Sequence, residues 1–461
     1  MFDLTNLPRF ASISTSQQDK KSSGQNSKSI PESGINPSKE FYIYSNIRQP
    51  PIILRPMAKL NHHYTKLNSN YLFQEIERKR TAFREKSPHA ELINLGIGDI
   101  TRPLPPTIVA ALESASREMG QASTFKGYGP SQGYSFLRDA IAEHDYKNLG
   151  ISADEIFVSD GAKNDIANLQ EIFDVDNKVA MPDPTYPVYI DTNVMAGRTR
   201  PLLKNGGYGG VVYLPCNEKN QFVPELPNRS CDLIYLCSPN NPTGVAMNRE
   251  QLQKWVQFAR EHKAIILFDG AYEAYIRTPD CPRSIYEIEG AREVAIEIRS
   301  FSKTAGFTGL RCSYTVVPHA LKILEGRQWL SLHALWKRRH DTKFNGVPYP
   351  IQKAAAAVYS DKGKQEVKAL IDSYLEQSSL LLKTLAKGGF QAYGGIDAPY
   401  LWVKAPAEAS SWYFFDYLLE KCHIVSVPGS GFGSEGEGFV RLSAFGHPNS
   451  LAEAAKRLVK I

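Results

Sequence analysis

The chain has 461 residues, of which 42% are hydrophobic, 22% charged and 11% aromatic, as in an ordinary globular protein of two or three domains. Its longest clearly apolar run, at 264–268, is far shorter than a bilayer-spanning segment, which argues against an integral membrane protein. The net charge of +6 comes without a block of Lys and Arg long enough to bind nucleic acid, and it fits small anionic ligands at least as well.

The first 56 residues differ from the rest of the chain. They are rich in Ser, Gln, Asn, Lys and Pro and show no hydrophobic periodicity. Such a segment cannot bury enough apolar surface to offset its ordering entropy, so we predict a disordered extension over 1–56. It has neither the apolar core of a secretory signal nor the acid-free composition of a transit peptide. Compact sequence begins near Met57, where translation could also start.

Seven short apolar runs alternate with helical patterns between residues 155 and 317. They lie at 155–158, 178–181, 210–214, 232–237, 264–268, 293–298 and 314–317. Continuous apolar strands separated by amphipathic helices predict an α/β fold whose mostly parallel, seven-stranded sheet is covered on both faces. Ligands of such sheets lie beyond the carboxyl ends of the strands.

The sequence pattern changes after Asn345. A helical stretch at 351–385, bent or broken near Gly363, precedes short strands at 400–403, 423–427 and 439–443. These elements predict a smaller α+β domain at 346–461. We place the large domain at 101–345, and an N-terminal arm with part of the small domain at 57–100.

The segment SFSKTAGFTGLR at 300–311 is the strongest chemical signal. Lys303 follows a buried strand, and a partly desolvated lysine near other cations has a lowered pKa and can form a Schiff base with an aldehyde. Ser300, Ser302 and Arg311 supply the hydroxyls and the forked N–H donors that bind a phosphate dianion. A lone lysine would more often be structural, but together these residues predict pyridoxal phosphate.

A second signal is Asp269, which ends the apolar run at 264–268. A buried carboxylate is costly unless a cation meets it, and a protonated pyridine nitrogen would be such a cation. Tyr272 could donate to the phenolate oxygen of the same ring. The alternative is an Asp that caps the following helix.

Three further motifs follow predicted strands. In SPNNPTG at 238–244, two prolines fix a turn that would point Asn241 at the phenolate oxygen. In SDGAKND at 159–165, Ala162 and Lys163 start a helix whose free N–H groups suit a phosphate. Tyr186, in DPTYP, could stack on a flat ring, or belong to an ordinary Pro-rich loop.

These motifs, in this order, resemble the fold-type I pyridoxal-phosphate aminotransferases. Further segments resemble the LL-diaminopimelate aminotransferase family, and the resemblance covers essentially all of 57–461. They are NYLFQEI at 70–76, INLGIGDITRPLP at 93–105, GYGPSQG at 127–133, PDPTYPVYIDT at 182–192, TKFNG at 342–346, APYLWVK at 398–404 and VPGSGFG at 427–433. Ser131 departs from the family pattern, because some relatives carry an acid there.

The resemblance implies a cytosolic homodimer with shared active sites, in which LL-diaminopimelate and 2-oxoglutarate exchange an amino group in lysine biosynthesis. Arg441 would pair with the substrate α-carboxylate, and Tyr71 and Gly98 would line the substrate entrance. Tyr128 and Asn345 would reach the neighbouring subunit's site, where Tyr128 would also contact the cofactor. The remaining substrate contacts would come from Lys163, Tyr186 and Asn241.

Three alternatives stay open at this point. They are an aminotransferase for another amino acid such as lysine or an aromatic one, a lyase or acyl-transfer synthase that uses the same cofactor, and a non-enzymatic regulator. The six cysteines form no CxxC pair, which favours reduced thiols in the cytosol. The ten histidines form no HExxH motif, so we predict no metal.

Overall fold

The computed structural model describes residues 58–67, 72–204 and 206–460, without the side chain of Phe73. The predicted disordered extension at 1–56 lies outside these residues. All elements given below belong to one compact unit, Asn61–Ile461. None of the helices in the described ranges combines the length and the apolar composition that crossing a bilayer requires.

The α-helices and strands alternate along most of the chain. The helices are α1 Leu72–Lys86, α2 Pro106–Met119, α3 Ser135–Asp145, α4 Ala162–Asn168, α5 Pro187–Ala196, α6 Arg249–His262, α7 Phe301–Thr304, α8 Leu332–Lys343, α9 Tyr349–Ala357, α10 Asp361–Lys387, α11 Ser411–Cys422 and α12 Pro448–Leu458. The strands are β1 Ile93–Asn94, β2 Ile156–Ser159, β3 Val179–Asp183, β4 Val211–Pro215, β5 Leu233–Cys237, β6 Ile265–Asp269, β7 Ala295–Ser300, β8 Ser313–Val316, β9 Lys322–Glu325, β10 Gln328–Ser331, β11 Ala392–Gly394, β12 Tyr400–Lys404, β13 Ile424–Val425, β14 Val427–Pro428 and β15 Phe439–Ser443.

A seven-stranded sheet has the order β2-β8-β7-β6-β5-β3-β4. Only β8 runs against the others, and it pairs antiparallel with both β2 and β7. Each of the seven apolar runs found in the sequence forms one of these strands, so the predicted α/β fold class is confirmed.

The strands of this sheet are apolar throughout because helices cover both of its faces. Ile234 and Ile266 point into a cluster that contains Trp255 of α6. The neighbouring Leu233 and Ile265 point into a second cluster, which contains Trp336 of α8. Successive strand residues face opposite sides of the sheet, and there is an apolar core on each side. Both sets of alternate residues along strands such as β5 are therefore apolar.

Helix α6 shows how a crossover between two of these strands is fixed. Asn248 accepts a hydrogen bond from the Gln251 N–H at 2.9 Å, and its own N–H donates to Gln251 Oε1 at 2.8 Å. This capping box satisfies two backbone donors that the first turn would leave unpaired. The helix returns the chain from the end of β5 to the start of β6, so both strands end at the same edge of the sheet.

A four-stranded antiparallel sheet, in the order β11-β12-β15-β14, forms near the C-terminus. The N-terminal strand β1 pairs in parallel with β13, with Ile93 opposite Ile424. The segment after β1 is therefore held beside strands that come more than 300 residues later. The predicted domain boundaries at 57, 101 and 346 stay a prediction.

Two details of the C-terminal prediction were wrong. The helical stretch at 351–385 is broken, but the break falls at 358–360, and Gly363 lies inside the first turn of α10. An added Cβ at Gly363 would overlap the Ala357 carbonyl oxygen, so the glycine lets the two helices approach closely. The strand predicted at 423–427 is divided at Ser426 into β13 and β14, which pair with different strands.

Candidate active site

The carboxyl ends of β5, β6 and β7 meet at one edge of the seven-stranded sheet. Cys237 at the end of β5 pairs with Asp269 at the end of β6, and Asp269 pairs with Ile298 of β7. Neighbouring strands lie about 4.8 Å apart, so the loops that follow them are adjacent. The segments that follow these three strands carry Asn241, Tyr272 and, on the short helix α7, Lys303.

Asp269 is a buried carboxylate with two hydrogen bonds. The Tyr189 hydroxyl donates to Oδ2 at 2.6 Å, and the Ala271 N–H donates to Oδ1 at 3.0 Å. Burial raises the pKa of the carboxyl, and these two hydrogen bonds oppose the rise. Within the described ranges no lysine, arginine or histidine forms an ion pair with it. The hydrogen bond from the Ala271 N–H, which caps the next turn, involves Oδ1 alone. A buried carboxylate needs a cation, and the described residues do not supply one to Asp269.

Lys303 lies on the short helix α7, directly after β7. Its Nζ donates a hydrogen bond to the Gly98 carbonyl and lies 3.8 Å from the Asp99 carboxylate. Burial lowers the pKa of the Lys303 ammonium to about 8; Asp99 opposes this shift, and Arg441 and Arg311 add to it. About a tenth of this lysine is therefore an uncharged amine at pH 7 and about half at pH 8, and the uncharged amine is the form that acts as a nucleophile or a base.

Arg311 and the start of α4 form one corner of the site. Arg311 Nη1 lies within 3.5 Å of Ser302 Oγ, to which it donates, and Ser300 Oγ accepts from the Ser302 N–H at 3.1 Å. Gly161 precedes α4 with a φ of +144°, and an added Cβ there would overlap the Arg311 guanidinium. The guanidinium therefore packs directly against the residue before α4, whose first two residues are Ala162 and the exposed Lys163. Hydroxyls, a guanidinium and first-turn N–H groups are the donors that bind a phosphate.

Arg441 on β15 connects the smaller sheet to the loop after β5. Its Nη1 donates to Asn241 Oδ1 at 2.8 Å, and its Nη2 donates to the Gly96 carbonyl at 3.0 Å. The guanidinium carbon lies 4.5 Å from the Tyr400 ring centroid and 5.1 Å from that of Phe432. The Arg441 Nε is buried and has no hydrogen-bond partner among the residues that the structure describes. This arginine is held in place and still has a donor available for a carboxylate.

Two tyrosines join Arg441 to the Asp269 side of the site. The hydroxyl oxygens of Tyr272 and Tyr400 lie 2.7 Å apart, and both residues are buried. Gly98 is exposed, and an added Cβ there would lie 3.7 Å from both the Arg441 Nη2 and the Tyr400 hydroxyl. Tyr186 precedes α5, and its ring meets that of Tyr189 edge-on at 5.7 Å.

Tyr128 and Asn345 lie on the surface instead of within this group. Tyr128 is 90% exposed, and Asn345 is also exposed. Their loops are neighbours, because an added Cβ at Gly346 would lie 2.9 Å from the Pro130 carbonyl oxygen. Ser131, in the same loop, donates a hydrogen bond to the Asp341 carboxylate. Tyr71 lies outside the described residues, so its predicted place at the entrance stays a prediction.

Sequence reasoning missed three residues of this arrangement. Tyr189 and Tyr400 are aromatic residues in a helix and a strand, where the usual expectation is a core position. Asp99 belongs to INLGIGDITRPLP, a segment used only for family resemblance. Asp99 is the one acidic residue of that segment, and this was the signal that could have pointed to it.

The comparisons with known proteins agree with this geometry. A family model described as aminotransferase class I and II matches residues 90–458. The LL-diaminopimelate aminotransferase of Desulforapulum autotrophicum is 54% identical over 405 residues, which cover 87% of this chain and 98% of that relative. The structure of L,L-diaminopimelate aminotransferase from Chlamydomonas reinhardtii is 47% identical with a TM-score of 0.82, over 87% of this chain and 98% of that one. The structure of substrate-bound BacF from Bacillus subtilis is 28% identical with a TM-score of 0.72, over 88% of this chain and 98% of that one. The resemblance inferred from the motifs is confirmed, and the chain belongs to the class I and II aminotransferase family.

Proposed function

We propose that this chain transfers an amino group between LL-diaminopimelate and 2-oxoglutarate, with pyridoxal phosphate as its cofactor. The keto product would cyclise to tetrahydrodipicolinate, and lysine biosynthesis would use the reverse direction with glutamate as donor. One observation carries the chemistry. Asp269, a buried carboxylate that forms no ion pair with the residues the structure describes, ends β6, and Lys303, with a pKa of about 8, follows the adjacent strand β7. The names of the Desulforapulum and Chlamydomonas relatives, both diaminopimelate aminotransferases, support the substrate.

The residues present fit pyridoxal phosphate. When bound, this cofactor supplies an aldehyde that condenses with amines and a ring that withdraws electrons from the substrate. Asp269 would meet the pyridine nitrogen, because it lacks a cation and is too buried to be compensated by water. The other proposed cofactor contacts are Ala162, Lys163, Ser300, Ser302 and Arg311 at the phosphate, Asn241 and Tyr272 at the phenolate oxygen, Tyr186 over the ring, and Tyr128 of the partner subunit.

Lys303 would perform the proton transfer. With a pKa of about 8, roughly half of its side chains are uncharged at pH 8, so Nζ can accept a proton there without a further base. The Gly98 carbonyl accepts a hydrogen bond from Nζ and so holds the amine at the entrance side. Nζ can then return the proton within the same site.

Arg441 would bind the substrate α-carboxylate. Its guanidinium is fixed by Asn241 and Gly96, so little side-chain entropy is lost on binding. Diaminopimelate has a second amino-acid end, for which we propose Lys163, together with Gly98 and Tyr71 and with Tyr128 and Asn345 from the partner subunit. The exposed adjacent loops at 127–131 and 345–346 support a homodimer with shared sites. All six cysteines are free, which supports a reducing, cytosolic location.

A panel of amino donors, mixed singly with the cofactor-loaded protein, tests this proposal. LL-diaminopimelate and glutamate should each convert the absorbance band of the lysine-bound cofactor to that of its amino form, without any keto acid. Lys303→Ala is the control and should lose turnover by several orders of magnitude. Faster conversion by lysine or an aromatic amino acid would identify a different substrate. No conversion by any donor would favour a lyase or synthase.

A further inference from the structure

We propose that Tyr189 is a positioning residue that keeps Asp269 ionised and directs it at the pyridine nitrogen of the cofactor. The hydrogen bond from the Tyr189 hydroxyl to Asp269 Oδ2, at 2.6 Å, carries this inference. The inference rests on the proposed binding of pyridoxal phosphate and adds a residue to it. Neither the motifs nor the predicted strand ends point to Tyr189.

The ring of Tyr189, on α5, is held by a residue of β5 and by the residue that precedes α5. It is 1% exposed, lies 5.0 Å from the Tyr235 ring at an interplanar angle of 25°, and meets the Tyr186 ring edge-on. With both ring contacts fixed, the hydroxyl can reach Asp269 without a change of side-chain rotamer. Such preorganisation makes a single hydrogen bond effective.

The direction of this hydrogen bond follows from the chemistry of the two groups. An ionised carboxylate only accepts hydrogen bonds, so the phenol must donate. Burial and the nearby Asp269 charge raise the pKa of Tyr189 well above its ordinary value, so the phenol keeps its proton. Because the phenol cannot easily give up that proton, it stabilises the charged form of Asp269 over the whole working range of pH.

The proton between Asp269 and the pyridine nitrogen can reside on either partner. Removing the Tyr189 donor would raise the proton affinity of the carboxylate, which burial already raises. More of the pair would then be a neutral carboxylic acid facing a neutral pyridine. A neutral ring withdraws electrons less strongly and forms a weaker contact with Asp269.

Tyr235 provides a matched control from the same aromatic stack. Its hydroxyl accepts from Asn193 Nδ2 at 3.1 Å and is also bonded to Gln170, whose Oε1 accepts from Arg198 Nη1 at 2.6 Å. This hydroxyl is as buried as that of Tyr189 but does not bond to Asp269. Tyr235→Phe therefore removes a buried hydroxyl from the ring that stacks on Tyr189, and leaves the hydrogen bonds of the Asp269 carboxylate unchanged.

The test is nitrogen NMR of cofactor labelled at the ring nitrogen, together with cofactor titration of the apoprotein and thermal unfolding. Tyr189→Phe should move the nitrogen signal towards the unprotonated value and weaken cofactor binding about tenfold, as loss of a hydrogen bond to a charge does. Tyr235→Phe should keep the wild-type signal even where it lowers the melting temperature. A fluorinated tyrosine at position 189 is nearly the same size as tyrosine, and its hydroxyl is a stronger hydrogen-bond donor. This substitution should keep the ring nitrogen protonated.

The outcomes separate the inference from the proposed function. A wild-type signal in Tyr189→Phe, with or without a lower melting temperature, would overturn the positioning role while leaving the function intact. An equal shift in Tyr235→Phe would assign the effect to packing and overturn it as well. Wild-type protein that binds no cofactor would overturn the proposed function, and the inference with it.

Discussion

Lys303 differs from a surface lysine in its charge near neutral pH. Because burial and two arginines lower its pKa to about 8, the neutral amine becomes the major form as the pH rises through 8. We expect the rate at which apoprotein captures pyridoxal phosphate to rise with pH and to level off, with a midpoint near 8. Stopped-flow absorbance would measure it.

The Asp99 carboxylate gives this prediction an internal control. It raises the pKa of Lys303 against the effect of burial, so Asp99→Asn should move the midpoint below that of the wild type. A wild-type midpoint above pH 9, or no movement in the variant, would mean that the amine is more solvated than the structure indicates.

Lys163 is the residue on which substrate selectivity should depend. It is the second residue of α4, exposed, and close to the Arg311 corner. If it pairs with the distal carboxylate, Lys163→Gln should cost about 2–4 kcal/mol of transition-state binding for diaminopimelate and much less for glutamate. The kcat/KM values of both donors measure this, and Lys362→Gln, at the second position of α10, is the matched control. Equal losses for both donors would mean that Lys163 serves the cofactor or the fold and does not bind the distal carboxylate.

At the scale of elements, the contact between Gly161 and Arg311 fixes the start of α4 against the loop after α7. Gly161→Ala should displace the guanidinium and weaken cofactor binding by about tenfold, because the added Cβ needs the same space and the φ of +144° disfavours alanine. Titration of the apoprotein measures this. Gly309→Ala, in the Arg311 loop, has no atom within 4 Å of the added Cβ and should bind like the wild type. Equal binding in the two variants would contradict the assigned contact.

The strands could be predicted from the sequence better than the breaks between elements. Burial from both faces leaves an apolar run that is visible by itself, as at Leu233–Cys237. The break before α10 is local: Ser360 Oγ accepts a hydrogen bond from the Gly363 N–H and so caps α10, within a sequence pattern that otherwise continues as helix. Ser360 followed by Asp361 was the capping signal that could have placed it.

The same distinction holds for the site. The grouping of Asp269, Asn241 and Lys303 at one edge of the sheet could be predicted, because a polar residue at or shortly after the end of a buried strand needs an explanation. Tyr189 and Tyr400 could not, because their partners Asp269 and Tyr272 lie 80 and 128 residues away in sequence. Only the strand order and the helix packing bring those hydroxyls to the site.

At the scale of the whole molecule, shared active sites can be tested by complementation. Lys303→Ala dimers should be inactive, and Tyr128→Ala dimers weak, if Tyr128 completes the partner's site. In a mixed dimer, the subunit that keeps Lys303 would receive an intact Tyr128 from its partner. Random mixing should then restore about a quarter of the wild-type activity, because half the dimers are mixed and each has one complete site.

Two measurements serve as controls for this experiment. Size-exclusion chromatography with light scattering should give a dimer for each variant before mixing. If the mixed sample shows only the sum of the parents' activities, although subunits exchange, Tyr128 acts within its own chain or not at all.

The cationic groups around Lys303 have a consequence for the speed of encounter. Arg441 and Arg311 both act electrostatically on Lys303, so three basic groups lie near one another at this site. The cofactor and 2-oxoglutarate are multiply charged anions, and such a field would draw them in from solution. The screening length is about 10 Å at 0.1 M salt, so ionic strength would slow the capture of these dianions more than that of zwitterionic diaminopimelate. Salt would thus slow the half-reaction with 2-oxoglutarate more than the half-reaction with diaminopimelate. Inorganic phosphate, itself an anion, would compete with 2-oxoglutarate.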